Sequence, residues 1–214
     1  MAIVDPGALR VYVVTSAGLV PGRDHLDVAH AAIEGGATAI QLRAPELSDA
    51  ELAPLAAALA ERCRDAGVLF VVNDRVEVAA NVGAGAHVGQ EDDPRAARER
   101  LGAALPLGIS VASAEEALAA RAAGADYLGV TVWATATKPE AVPRGIHGLR
   151  AVVAATDLPV VAIGGVDAAN AREVVEAGGA SGVAVVSAVG AATDPVAATR
   201  ELVQAMRVNG SGER

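Results

Sequence analysis

Eight times along the 214 residues a short run of β-branched and other apolar residues gives way to a longer, alanine-rich run with helical spacing. A repeated strand–helix unit of this kind constrains the fold sharply. Parallel strands need a crossover of a dozen or more residues, and a helix is the usual one. The spacing predicts strands at 11–15, 39–43, 69–73, 86–89, 107–111, 127–132, 159–164 and 182–187. Eight units without a composition break or linker point to a single closed (β/α)8 barrel, a TIM barrel. The alternative is an open, doubly wound sheet. No GxGxxG follows the first strand, which argues against a dinucleotide-binding version of that alternative. One domain over residues 1–208 is expected, with a polar, frayed tail at 209–214.

Composition fits. Apolar residues make up 52% of the chain and aromatic ones 2%, so the core must be built from Ala, Val, Leu and Ile. Such a mix suits helices laid over a parallel sheet. The formal charge of −9 argues against non-specific nucleic-acid binding. Anionic substrates would then have to be met by locally placed cations and backbone N–H groups. The single cysteine, Cys63, continues the helical series Leu52, Leu55, Leu59 and reads as core packing rather than a reactive thiol. No leader pattern is visible, and no apolar run reaches the roughly 20 residues a bilayer span needs. A cytoplasmic location with no membrane partner is the expectation.

Helix boundaries are signalled locally. Ser48-Asp49-Ala50-Glu51 and Ser113-Ala114-Glu115-Glu116 have the form of capping boxes. Asp93-Pro94 and Asp194-Pro195 place an N-cap acid before an N1 proline. Pro54 stands inside the second helix, beyond its first turn, and predicts a kink or a delayed start.

In a barrel of this class chemistry belongs at the C-terminal strand ends. Side chains alternate along a strand, so Gln41 and Arg43 share a face opposite Ile40 and Leu42 and point into the mouth if the apolar pair meets the helices. The other reading of Arg43 is a solvated strand end. Asn73-Asp74 ends the third strand and Gln90-Glu91-Asp92 follows the fourth. Asp74 and Asp92 could share one cation such as magnesium, which favours oxygen ligands, or could be helix N-caps. The loop after the sixth strand carries Thr135, Thr137 and Lys138, a set suited to an anion-binding flap and also compatible with an ordinary surface loop. Gly164-Gly165 at the end of the seventh strand, and Val186-Ser187 at the end of the eighth, fall where these barrels commonly bind phosphate through backbone N–H groups. No catalytic triad is evident. His25, His30, His87 and His147 lack metal-binding spacing and read as structural.

Taken together, Gln41-Leu42-Arg43, Asn73-Asp74-Arg75, Gly89-Gln90-Glu91-Asp92, Gly108-Ile109-Ser110, Thr135-Ala136-Thr137-Lys138-Pro139 and Ile163-Gly164-Gly165 resemble the thiamine-phosphate synthase family, in family order across nearly the whole chain. The resemblance implies a transferase that joins hydroxymethylpyrimidine diphosphate to thiazole phosphate and releases pyrophosphate. It implies Mg2+ held by Asp74 and Asp92, and diphosphate binding by Arg43, Asn73 and Lys138. Gln41 and Ser110 would orient the pyrimidine. Thr135, Thr137 and the backbone at Gly165, Val186 and Ser187 would hold the thiazole phosphate. A homo-oligomer, most simply a dimer, is implied too. Sister readings are a thiazole tautomerase, a non-catalytic binding paralogue and an unrelated phosphate-binding barrel isomerase. The chain departs from the family pattern at Pro45, where a lysine is usual, at Ala112, where a histidine is usual, and at Thr131-Val132, where Gly-Pro is usual. Arg75 and Arg144 are the two candidates to replace the missing charge.

Overall fold

The computed structural model describes residues 4–89, 92–137 and 141–207. The expected tail at 209–214 lies outside the described residues. After a short 3-10 turn (Pro6–Leu9) the chain runs β1 (Val11–Val14), α1 (His25–Gly35), β2 (Ala39–Leu42), α2 (Asp49–Ala66), β3 (Leu69–Asn73), α3 (Val76–Val82), β4 (Gly85–Val88) and α4 (Pro94–Leu101). It continues with β5 (Leu107–Ser110), α5 (Ala114–Ala122), β6 (Tyr127–Thr131), α6 (Gly145–Ala155), β7 (Val160–Ile163), α7 (Ala171–Glu176), β8 (Gly182–Val185), α8 (Ser187–Gly190) and α9 (Pro195–Ala205). All eight strands are parallel and close into one barrel, with β1 paired to β2 on one side and to β8 on the other. The open-sheet alternative is excluded. Seven of the eight strands stop one or two residues short of their predicted ends, and β3 ends at Asn73 as predicted. Ser187, expected in the eighth strand, instead begins α8.

Closure divides the apolar residues into two cores. Facing the helices are Val11 and Val13 of β1, Ile40 and Leu42 of β2, Leu107 and Ile109 of β5 and their partners from α1 to α9. Inside the barrel are Tyr12, Val14, Ala39, Val71, Tyr127, Val161 and Ala184. The parity argument for β2 therefore holds: Ile40 and Leu42 meet helices, and Gln41 faces inward. Cys63 packs in the outer core, and burial pushes its thiol up to about 12, so it is inert at ordinary pH.

Local signals act mostly as read. Ser48 and Glu51 form a full capping box. Ser113 caps α5, but Glu116 turns its carboxylate to the Ala112 N–H (2.8 Å) instead of completing the box. A further box, Asp24 with Asp27, starts α1. Pro54 does not delay α2, which begins at Asp49. Pro54 and Ala50 are exposed, so water can take the Ala50 carbonyl that the proline leaves without an N–H. No helix among the described residues is long and apolar enough to cross a membrane.

The seam between the first and last helices relies on Gly35. A Cβ there would overlap the Thr199 side chain of α9 and crowd the Val196 carbonyl. Thr199 is fully buried and returns its hydroxyl to the Pro195 carbonyl (2.7 Å), so it has little room to move. Gly35→Ala should lower the urea-unfolding free energy by about 1–3 kcal/mol, the usual cost of overpacking. An unchanged midpoint and slope would show that the seam can shift freely.

Candidate functional site

One cavity of about 360 Å3 opens at the C-terminal end of the barrel. That is within the range that holds a small-molecule ligand. Its walls come from all eight strands and from the loops after β6, β7 and β8. Gln41 and Arg43, Asn73, Ser110, Thr135 and Thr137, Gly165, Val186 and Ser187 all line it. Nine positions singled out in the sequence thus converge on one space. Asp74 and Asp92 do not line it, and Lys138 lies outside the described residues.

Arg43 is the one Lys or Arg among the described lining residues, and it makes no salt bridge among them. Its positive charge makes no direct ion pair there, and Asp167 is the one Asp or Glu among the described lining residues. That carboxylate is engaged at home, accepting from the Ala169 and Asn170 N–H groups (2.9 and 3.2 Å), so it caps a turn while α7 proper starts at Ala171. Neither candidate for a replacement cation reaches the cavity. Arg75 pairs with Asp49 of α2 (3.1 Å), and Arg144 precedes α6 with its N–H on the Thr131 carbonyl.

The loop after β6 folds over the loop after β7. Gly164 and Gly165 have φ of +91° and +64°, and a Cβ on either would collide with the backbone or Cβ of Trp133 and Ala134. Only glycine combines that conformation with that approach. The Gly-Gly pair was read as space for a phosphate; it is first of all space for the neighbouring loop. That packing places Thr135 and Thr137, whose hydroxyls bond each other (2.9 Å), against the cavity.

At the ends of β3 and β4 the two aspartates differ. Asp74 adopts φ +58°, the one non-glycine residue among those described with positive φ. Strain of this kind gathers at functional sites. Its N–H donates to the His87 carbonyl (2.9 Å), and its carboxylate accepts from Asn73 Nδ2 (2.6 Å). Asp92 folds back to accept from the Gly89 N–H (2.7 Å), while Asp93 caps α4 through the N–H groups of Arg95 and Ala96. No group of three or more His, Cys, Asp or Glu suited to a metal occurs among the described residues.

The structure adds residues the sequence reading passed over. Tyr12, His87 and Tyr127 line the floor of the cavity. Gln41 Nε2 donates to the Tyr12 hydroxyl (2.8 Å), which lies 3.0 Å from the Tyr127 hydroxyl. The chain continues to His87 Nδ1 (3.1 Å) and from His87 Nε2 to Ser110 Oγ (2.9 Å). Burial, the largest cause, raises both phenols above their ordinary value, so they stay neutral. His87 was taken as structural; its parity with Gly85 and with the register partner Asn73 is the signal that would have placed it inward.

A second network braces Arg43. Its N–H donates to Thr15 Oγ1 (3.3 Å), Thr15 meets His25 Nδ1 (2.9 Å), and His25 Nε2 meets Glu46 (2.9 Å). Thr15 and His25 are buried. Burial acts to raise the Glu46 carboxyl, but the His25 hydrogen bond and a backbone one, with the Arg43 charge, hold it below its ordinary value.

Fold and site define a (β/α)8-barrel protein whose strand-end loops enclose a small-molecule cavity. Comparison with known proteins gives the particular branch. Residues 11–189 match the family described as thiamine monophosphate synthase. The chain is 51% identical over 196 residues to the thiamine-phosphate synthase of Chloroflexus aurantiacus, covering 90% of each, and 48% identical to that of Moorella thermoacetica, covering 90% of this chain and 93% of the relative. A solved thiamine phosphate pyrophosphorylase from Pyrococcus furiosus superposes with a TM-score of 0.86 at 41% identity, covering 94% and 96% of the two chains. The chain belongs to the thiamine-phosphate synthase family.

The Glu46 shift has a consequence for stability. A carboxyl lowered on folding adds stability that is fully present above its unfolded value, about 4.3, and is lost as pH falls through the lower folded value. The difference in unfolding free energy between the wild type and Glu46→Gln should be largest at neutral pH and close as pH drops below about 4. A gap independent of pH, measured by urea titration, would remove the His25–Glu46 contact as its source.

Proposed function

We propose that this transferase joins hydroxymethylpyrimidine diphosphate to thiazole phosphate, giving thiamine phosphate and pyrophosphate. The observation that carries the reading is the convergence on one cavity of a guanidinium, a floor of hydrogen-bonding side chains and a hydroxyl-bearing flap. Each serves a different part of the two substrates.

The bond from the pyrimidine methylene to the diphosphate oxygen breaks, and its electron pair leaves on the diphosphate. The thiazole nitrogen lone pair then forms the new carbon–nitrogen bond. The protein's task is to hold two anions and one forming cation in line and to keep water away from that cation. Arg43 faces the departing diphosphate and meets the charge that develops on its bridging oxygen. Asn73 shares that task and steadies Asp74. Gln41 and Ser110 seat the pyrimidine. Thr135, Thr137 and the backbone at Gly165, Val186 and Ser187 bind the thiazole phosphate, and Lys138 of the same flap adds its charge to the diphosphate. No covalent nucleophile is needed; positioning and electrostatics supply the rate.

Asp74 and Asp92 suit magnesium by the chemistry of their donors. Both are hard oxygen ligands at the ends of neighbouring, paired strands. Asn73 Nδ2 donates to the Asp74 carboxylate and the Gly89 N–H to that of Asp92, which aims both. The lack of a third acidic partner among the described residues agrees with an ion that keeps waters and substrate oxygens. When bound there, the ion would neutralise diphosphate charge and ease its departure. The tautomerase reading gains little from His87, because both of its ring nitrogens are engaged, by Tyr127 and Ser110.

The test is formation of thiamine phosphate from the two substrates with magnesium, abolished by a chelator. Arg43→Ala should lower kcat/KM by about 10²–10³-fold, as expected for loss of one preorganised donor. Asp74→Asn, chosen because asparagine tolerates positive φ, and Asp92→Asn should each remove magnesium-dependent turnover with thermal unfolding nearly unchanged. Full activity in either aspartate variant would end the metal assignment. No product from the folded wild type would end the synthase reading.

A further inference from the structure

The hydrogen-bonded chain across the barrel floor has a direction, and the direction is set by counting hydrogens. Gln41 Nε2 donates to the Tyr12 oxygen. Tyr12 is buried, so its own hydrogen needs an acceptor, and the one at hand is the Tyr127 oxygen at 3.0 Å. The Tyr127 hydrogen then goes to His87 Nδ1, which must be unprotonated to accept it. His87 is therefore the neutral Nε2–H tautomer, and that N–H donates to Ser110 Oγ. Reversing the run would give Tyr12 two incoming hydrogens and leave its own without an acceptor among the described residues.

The two ends are fixed by this count. Gln41 has its nitrogen committed to Tyr12, and its Oε1 makes no hydrogen bond among the described residues. Among the described residues no buried side-chain N or O lacks a partner, so that oxygen opens onto the cavity Gln41 lines. Ser110 accepts from His87 and keeps its own hydrogen for the cavity. The floor thus offers an acceptor at Gln41 and a donor at Ser110. Two inward glycines make room for the arrangement: a Cβ at Gly108 would overlap Tyr127 and His87, and one at Gly129 would lie about 3.0 Å from the His87 ring. Space has been cleared in the barrel interior for this contact.

We infer that Tyr12, Tyr127 and His87 are specificity-determining residues that lock the polarity of the floor, so that it selects a 4-aminopyrimidine over the 4-oxo form. An amino group donates to Gln41 Oε1, and a ring nitrogen accepts from Ser110. The 4-oxo form carries the inverse pattern, a carbonyl acceptor beside a ring N–H, and would confront acceptor with acceptor and donor with donor. The inference rests on the synthase reading for its substrate, but the polarity of the chain does not.

Two measurements test it. The first is long-range 15N–1H spectroscopy on histidine-labelled wild type above neutral pH, with the His87 signals assigned by their loss in His87→Gln. The Nε2–H tautomer is expected; an Nδ1–H tautomer or an imidazolium would overturn the polarity whatever the protein catalyses. The second compares kcat/KM for the 4-amino and 4-oxo pyrimidine diphosphates in wild type and Tyr127→Phe, which removes the central hydroxyl and keeps the ring. The two substrates differ in intrinsic reactivity, but that difference cancels when the ratios are compared. Discrimination should fall roughly tenfold to a hundredfold in the variant, the scale of one or two mismatched hydrogen bonds, with KM for thiazole phosphate unchanged. Discrimination retained in Tyr127→Phe would overturn the inference. A folded wild type that turns over neither pyrimidine overturns the synthase reading instead, and the tautomer then decides the polarity alone.

Discussion

Closure of the parallel sheet is the constraint from which the rest of the molecule follows. A closed barrel has no edge, so every strand has two neighbours, and its side chains are forced alternately inward and outward with no freedom to slip by one residue. The outward half of each strand meets helices and is filled with Val, Ile, Leu and Ala. The inward half must fill a narrow interior from one end to the other. Near its bottom the filling is apolar: Leu9 caps it, and Gly182 admits the Leu9 backbone, because any Cβ there would overlap the carbonyl. Higher up the same parity brings Gln41, Asn73, His87, Ser110 and Tyr127 to one cavity. The site is thus a layer of the barrel core in which polar residues have replaced apolar ones.

Such a replacement is costly unless every group finds a partner. The floor meets that demand as a single chain, with no buried side-chain polar atom left unpaired among the described residues. The two tyrosines are central. Each supplies a ring for the apolar level below and a hydroxyl for the polar level above, with ring centroids 6.2 Å apart and tilted by 52°. In a chain with only two tyrosines, both sit here, one on β1 and one on β6, three strands apart around the barrel. The aromatic content is low because an alanine-rich shell needs few large side chains; the exceptions mark where the interior does something other than fill space.

The fold was legible because its signals are periodic and repeated. Eight alternations outvote any single ambiguous element, and Pro54 shows how: a helix anchored by the Ser48–Glu51 box absorbs a proline on its exposed side. Parity on β2 was equally legible, since Gln41 and Arg43 flank Leu42. What sequence could not supply was contact between residues far apart along the chain. Tyr12 and Tyr127 are 115 positions apart, and Thr15 and His25 gain meaning only once Arg43 lies beside them. Histidine spacing along the chain was the wrong question for His87, whose role comes from the neighbours its strand register gives it. The packing of the β6 loop on Gly164-Gly165 was not legible, because a sequence shows that close approach is permitted without showing all that approaches.

The departure at Pro45 can be weighed against what surrounds it. Where a lysine would add a mobile charge, this loop is fastened instead. Pro45 restricts its own φ, the Leu47 N–H closes a turn onto the Ala44 carbonyl (3.1 Å), and Glu46 is tied to buried His25. Arg43 is held at the other end through Thr15, and the Thr15 N–H itself donates to the Gln41 carbonyl (2.9 Å). A charge contributes to a transition state in proportion to how little it must reorganise as the reaction proceeds. One guanidinium on a braced loop, with no direct ion pair among the described residues, can therefore do more than its count suggests. Loosening the brace should then resemble removing charge: the loss would fall on steps that involve the diphosphate and spare the thiazole side of the cavity, whose walls come from β6, β7 and β8 and share none of these contacts.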